Sequence, residues 1–454
     1  MPPVIASCVC VIGIAGLIWL DHDRTSRTSP ALWIPIIWMF IGASRMASQW
    51  LGIEPLDAMD TTLEGSPFDR IFLMGLLVAG LMVLAARAQR TGVVIGANML
   101  LFLFFCYCAL SVLWSDFPFV AVKRFTKALG NLTMVLVVLT ERDPAAAVKR
   151  FLARSGFLLI PLSVLLIKYY PVLGRVYNRW TWEVYFTGVS ADKNGLGGIC
   201  LIIGLGSLWR LVEEARLEAG SRAKGVLAAH GVLLAMSLWL FGKADSSTAL
   251  ACFFIGAMLI VMTTPLVGRE PAYVHLVVTM IAVFIASGFL LPNAYTYVIE
   301  ALGRNTTLTG RTEIWSDLFR MDVNPLIGRG FESFWLGARA DYVANKYYFH
   351  PNQAHNGYIE TYLNLGWIGV SFLVVLIALG YQRIVDAFHR NSRSSTLRLA
   401  FLITIAAYNV TEATFKVMHP LWIVFLLAIT SWPTRQGREE DAVFPDCPAA
   451  ESAT

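Results

Sequence analysis

The residues best suited to chemistry lie in a polar stretch, 293–363, of an otherwise apolar chain. It carries Thr309-Gly310-Arg311-Thr312-Glu313, then Asn324-Pro325-Leu326-Ile327-Gly328-Arg329-Gly330-Phe331, and it closes with His355-Asn356-Gly357-Tyr358. A guanidinium grips phosphate oxygens two at a time and keeps its charge at any working pH. Arg311 and Arg329 are therefore candidates for holding a phosphate or diphosphate. Histidine is the side chain whose ordinary pKa suits proton transfer near neutrality, which makes His355 the candidate base. Acids and bases are nearly balanced in this stretch, so the placement of single arginines matters more than bulk charge.

Two shorter segments add bases. Trp114–Lys127 reads WSDFPFVAVKRFTK, and Lys123, Arg124 and Lys127 share one helical face. Segment 168–193 holds Lys168, Arg175, Arg179 and Lys193 among Tyr and Trp residues, and runs into Gly188-Val-Ser-Ala-Asp192-Lys193-Asn194-Gly195-Leu-Gly197. Lys193 and Asn194 fall where a helix should start, a place that already favours an anion. Arg124, Arg175 and Lys193 are thus candidate phosphate contacts.

Metal chemistry is not expected. Asp21-His22-Asp23 imitates a metal-binding D-x-D, but it sits at a span end on the side opposite the other candidates. His350 and His355 lack an accompanying Cys pair. No G-x-x-x-x-G-K-[ST] is present, which argues against ATP-driven transport. Six of the seven cysteines lie in apolar runs and read as small buried hydrophobes.

These residues must be positioned by membrane helices. Of 454 residues, 56% are hydrophobic and 15% charged, where about 25% charged is usual for soluble domains. Mean hydropathy is +0.60. A soluble surface cannot be covered with so few charges, and disorder needs low hydrophobicity. Apolar runs long enough to consider as spans fall near 4–20, 31–48, 71–87, 92–113, 128–141, 152–168, 194–210, 226–241, 247–266, 273–292, 364–381, 399–412 and 418–432. The runs are continuous rather than alternating, which excludes a β-barrel. The second and twelfth are short, so the expectation is an all-α polytopic membrane protein of 12–13 transmembrane helices. Residues 1–292 and 364–432 form the helices, 293–363 a large loop with short helices, and 433–454 a disordered cytoplasmic tail. The basic loops 210–224 and 382–398 belong inside by the positive-inside rule. Alternation then puts 293–363 outside, together with the segments bearing Arg124, Arg175 and Lys193. The outer face carries nearly as many Lys and Arg as the inner, which suits an anionic substrate there. No basic n-region precedes the first run, so a cleaved signal peptide is not expected.

Three stretches carry a recognisable pattern: GVSADKNGLG at 188–197, TLTGRTEIW through NPLIGRGF at 307–331, and HNGYIETYLNLGWIG at 355–369, with His355 and Gly366 in an H-x10-G spacing. With these motifs and one large late loop, the chain resembles the O-antigen ligase and Wzy-type polymerase family, and within it the ExoQ-like exopolysaccharide production proteins. That family is usually drawn with twelve helices and a cytoplasmic N-terminus, whereas thirteen runs put the N-terminus outside. The resemblance implies a GT-C-like, inverting, metal-independent glycosyltransferase of the bacterial inner membrane, working at its periplasmic face without a cofactor. The donor would be an oligosaccharide on polyprenyl (undecaprenyl) diphosphate. The acceptor would be another lipid-linked repeat or a lipid A core sugar, giving exopolysaccharide, O-antigen or lipopolysaccharide. Membrane lipids are further partners and nucleic acid is not. On this reading Arg311 and His355 carry catalysis, while Arg175, Lys193, Arg124 and Arg329 contact the diphosphate. Ligase and polymerase share donor chemistry and are not separated by these residues. A transporter or flippase of lipid-linked sugars is the alternative, although transporters place ionisable groups near the middle of their spans.

Overall fold

The computed structural model describes residues 1–21, 28–53, 66–177, 183–218, 222–290, 311–347 and 351–432. The expected tail, 433–454, and residues 291–310 of the expected loop lie outside these. The described chain is helical apart from one small hairpin. Its helices are α1 (Pro3–Leu20), α2 (Trp33–Ala43), α3 (Ala47–Trp50), α4 (Pro67–Ala86), α5 (Ala88–Ala97), α6 (Met99–Leu110), α7 (Pro118–Leu139), α8 (Pro144–Tyr169), α9 (Pro171–Gly174), α10 (Lys193–Ala215), α11 (Lys224–Ala244), α12 (Ser247–Thr263), α13 (Pro271–Leu290), α14 (Arg311–Arg320), α15 (Ala338–Lys346), α16 (Gly357–His389), α17 (Ser395–Tyr408) and α18 (Pro420–Ile429). Strands β1 (Arg175–Tyr177) and β2 (Val184–Phe186) pair antiparallel, with Arg175 opposite Phe186.

This is an all-α multi-pass membrane protein. Every expected apolar run contains helix among the described residues, but not all are full-length spans. Among the described residues, seven helices are long and apolar enough to cross a bilayer, and the pair Ala88–Ala97 and Met99–Trp114 adds an eighth although it is bent by 88°. Pro30–Ala43, Pro271–Val283, Ser395–Tyr408 and Pro420–Ile429 are shorter apolar helices. α7 is long but carries Lys123, Arg124 and Lys127 near its start. The runs expected to span at 399–412 and 418–432 are corrected most. α17 has 14 residues and α18 has 10. At 1.5 Å per residue they reach about 21 and 15 Å, short of a hydrocarbon core of about 30 Å. All ten residues of α18 are buried, so it is a central element walled by other helices rather than a lipid-facing span.

Charged contacts gather at two ends. At one, Ser29 and Arg87 hold Glu141, and Lys149 pairs with Glu213. At the other, Arg339 pairs with Asp116, Lys193 with Asp245 and Arg311 with Glu412. The polar segment around α14 and α15 sits at this second end on a core of its own: Ile314, Leu318, Phe334, Val343, Ala354 and Leu363. Asp317 ties α14 to the end of α15 through Lys346 (2.6 Å) and Tyr347 (2.5 Å). The hydrogen bonds from Lys346 and Tyr347 hold the Asp317 carboxyl below its ordinary range. The cysteines are free among the described residues, but Cys8 and Cys106 are exposed and Cys10 is half-buried, so only Cys108, Cys200 and Cys252 are the buried hydrophobes expected.

Candidate functional site

Four segments converge at the second end. α10 begins at Lys193 behind Asp192, whose Oδ1 accepts from the Gly195 amide at 2.8 Å. α16 begins at Gly357 behind Asn356, whose Oδ1 accepts from the amides of Tyr358 and Ile359, both at 3.0 Å. Both caps satisfy amides that a helix start leaves unpaired. α14 begins at Arg311. The fourth segment is the non-helical turn between α17 and α18, residues 409–419. Asn409 folds it, with Oδ1 accepting from the amides of Thr414 (2.8 Å) and Phe415 (3.1 Å).

Glu412 stands in this turn with only 7% of its surface exposed. Its Oε1 accepts from Arg311 Nη2 and from Asn194 Nδ2, each at 3.1 Å. Its Oε2 lies 3.4 Å from His355 Nδ1. Arg311 also donates to the Thr411 carbonyl. A carboxylate only accepts, so the Glu412 contact is satisfied by the tautomer that carries its proton on His355 Nδ1 and presents a lone pair at Nε2. The Gln353 amide lies slightly farther from Nδ1, at 3.5 Å, and its oxygen is held by Lys416 at 3.0 Å. The His355 backbone has φ = 50°, the left-handed region that a non-glycine residue adopts at a cost of roughly 1 kcal/mol or more.

The His-Asn-Gly-Tyr motif clamps this arrangement. The Gly357 amide donates to the carbonyls of Asn409 (2.8 Å) and Glu412 (3.1 Å). Asn356 Nδ2 donates to the Val410 carbonyl at 2.9 Å, and the Tyr358 hydroxyl to the Ala406 carbonyl at 2.9 Å. A Cβ on Gly357 would lie 2.1 Å from Asn409 Oδ1, so only glycine admits this approach. Glu360, one turn on, accepts from the Ala354 amide (2.5 Å) and Trp335 Nε1 (2.8 Å), which fixes the residue before His355.

The other half of the H-x10-G spacing is architectural. At Gly366 the backbone turns to φ = 64° and breaks α16. Trp367 and Ile368 then donate their amides to the carbonyls of Pro325 and Leu326, while Arg329 and Gly330 donate theirs to Leu363 and Asn364. Asn-Pro-Leu-Ile-Gly-Arg-Gly-Phe is thus laced to the break in α16, and a Cβ on Gly366 would strike the Leu326 carbonyl oxygen at 2.2 Å.

Of the candidate residues, Arg311 and His355 meet on Glu412. Lys193 adjoins through its neighbour Asn194, although its own ammonium pairs with Asp245 at 3.4 Å and covers the Tyr185 ring. The other three spend their guanidinium groups on protein and share no partner with Arg311 or His355. Arg124 donates to the Glu332 carbonyl. Arg175 donates through Nε (3.1 Å) and Nη2 (2.8 Å) to the Ile167 carbonyl. Arg329 is bound to the carbonyl and carboxylate of Asp322, so it ties a loop to itself. Asp21 of the D-x-D lies 3.3 Å from His230, and His22, Asp23 and His350 fall outside the described residues.

Sequence reasoning missed Glu412 and the Thr411 carbonyl as site components, and it placed Asn194 at a helix start without giving its side chain a role. The available signal was Glu412 itself, an acid between two apolar runs, which needs partners to be tolerated there.

A family described as O-Antigen ligase matches residues 217–374, which include Arg311 and His355 but not Asn194 or Glu412. The chain is 22% identical over 296 residues to the exopolysaccharide production protein ExoQ of Rhizobium meliloti (strain 1021), covering 62% of this chain and 64% of that protein. The chain thus spans just under two thirds of that relative.

Proposed function

We propose that this chain, whose residues 217–374 match the O-antigen ligase family, transfers glycan from a lipid-linked diphosphate donor to a glycan acceptor at the outer face of the inner membrane. The observation that carries this reading is the convergence of Arg311 and His355 on one shielded carboxylate. In the proposed reaction the acceptor hydroxyl gives its proton to His355 Nε2. Its oxygen attacks the anomeric carbon, and the bond to the donor phosphate breaks. The electron pair leaves with the diphosphate, whose growing charge meets the Arg311 guanidinium. Two Arg311 nitrogens already hold Thr411 and Glu412, so the group is fixed before reaction while others of its five N–H donors stay available. Glu412 holds the His355 tautomer and balances Arg311. Lys193, at the α10 N-terminus, is a second contact for the diphosphate. No step calls on a metal or cofactor.

A deletion strain tests this reading through its surface glycan and lipid-linked intermediates. Repeats stranded on the outer leaflet are expected. Single capped repeats on the surface would specify polymerisation, and full-length unattached chains would specify ligation. Repeats trapped on the cytoplasmic leaflet would overturn the transferase reading in favour of a flippase.

A further inference from the structure

A group of cations outside this site has no counter-ion among the described residues. Lys168 closes α8 and Lys243 lies in the last turn of α11. Both ammonium groups cover the Trp239 ring, at 5.2 and 5.8 Å from its centroid. Lys243 also covers Phe186 at 5.3 Å, and Arg175 covers that ring at 5.5 Å. Cations and rings therefore alternate from Lys168 through Trp239, Lys243 and Phe186 to Arg175. Among the described residues, none of these three cations forms an ion pair with a carboxylate. A helix C-terminus favours one cation at its own end, but it does not explain why three gather about two rings. Ring faces attract the cations without cancelling their charge, so the group is preorganised for an anion.

The surroundings indicate which anion. Below Lys243, α11 exposes Val232, Ala235 and Trp239, at spacings of three and four that align them in one stripe. Leu238 beside them is exposed as well. The cations thus cap an apolar surface turned away from the protein. Strand geometry also separates them from the transfer site. Tyr185 and Phe186 are successive strand residues and face opposite ways. Tyr185 carries Lys193, next to Asn194 and Glu412, while Phe186 carries Arg175 and Lys243.

We propose that Lys168 and Lys243, with Arg175 held beside them by the Ile167 carbonyl, bind the phosphodiester of an anionic phospholipid, whose acyl chain lies along the exposed stripe of α11. This assignment stands apart from the transfer reaction and does not rest on it. The test uses the purified full-length protein in neutral detergent, titrated with phosphatidylglycerol or phosphatidylcholine and read by native mass spectrometry. Preferential retention of phosphatidylglycerol is expected, and the double variant Lys168→Gln/Lys243→Gln should lose that preference by roughly tenfold. Equal retention of the two lipids by the native chain overturns the proposal, a result that needs no variant to fold. So does an unchanged preference in the double variant at an unchanged Tm. Displacement of phosphatidylglycerol by an equimolar polyprenyl diphosphate also overturns it, because the group would then serve the donor.

Discussion

Replacing Glu412 with Gln tests the site most directly, because the change is isosteric and its consequences can be worked from the geometry. Three donors converge on two carboxylate oxygens: Arg311 Nη2 and Asn194 Nδ2 on Oε1, and His355 Nδ1 on Oε2. Glutamine offers one oxygen. The two donors on the Oε1 side, one of them charged, hold it there. The amide nitrogen then faces His355 Nδ1 at about the present separation and forces that nitrogen to accept. The imidazole proton moves to Nε2, the atom proposed to receive the acceptor's proton. Loss of a general base costs typically 10²–10⁴ in rate, so transfer should fall by at least about 100-fold.

The fold should survive the same change. Arg311 keeps the Thr411 carbonyl and an amide oxygen, and its side chain is 24% exposed, so solvent screens much of the lost charge. A destabilisation of about 1 kcal/mol is the expected scale for such a partly exposed pair. The assay is complementation of a deletion strain at matched membrane levels, with glycan product quantified and Tm measured on purified protein. Glu412→Asp keeps the charge and should retain more activity than Glu412→Gln. Product from Glu412→Gln within about threefold of the native chain, against the 100-fold expected from a lost base, would refute the tautomer argument.

Two further outcomes follow from the same contacts. Gly357→Ala drives a Cβ to 2.1 Å from Asn409 Oδ1, and such overpacking costs typically about 1–3 kcal/mol, so Tm should fall and activity with it. Arg311→Ala should abolish transfer while Arg329→Ala keeps most of it, since Arg329 is spent on Asp322; equal loss in both, measured as glycan product at matched protein levels, would contradict the separation drawn here.

The all-helical membrane architecture was legible because apolar length is a property of local sequence. The helix start at Asp192-Lys193 was legible for the same reason, as capping residues act within a few positions, whereas the start at Asn356-Gly357 was not read and fell within the expected loop. Two members of the site, Arg311 and His355, could be picked by side-chain chemistry alone. Arg329 could not be told from Arg311, because each stands beside glycine turns and only the distant Thr411 and Glu412 distinguish them. Arg124 and Arg175 were misleading in the same way: the carbonyls that occupy them belong to Glu332 and Ile167, and carbonyls leave no mark in a sequence. The H-x10-G spacing conflated two roles. His355 faces the site, while Gly366 is required because the backbone of Leu326 passes where a side chain would be.

The short helices that the run lengths misjudged are what make Glu412 usable. Had 399–412 and 418–432 been two full spans, their connection would have stood in water at the membrane surface, where a carboxylate exchanges partners freely and holds nothing in place. α17 and α18 stop early, so residues 409–419 turn inside the bundle between α10 and the start of α16. There Glu412 is shielded, and both of its carboxylate oxygens are met by donors from other segments. Burial of an unpartnered acid is costly, and that cost is relieved only when Asn194, Arg311 and His355 are all in position. The same penalty that makes the acid expensive therefore holds three chain segments in register, and it does so at the point where the proposed transfer needs a fixed guanidinium and a fixed imidazole.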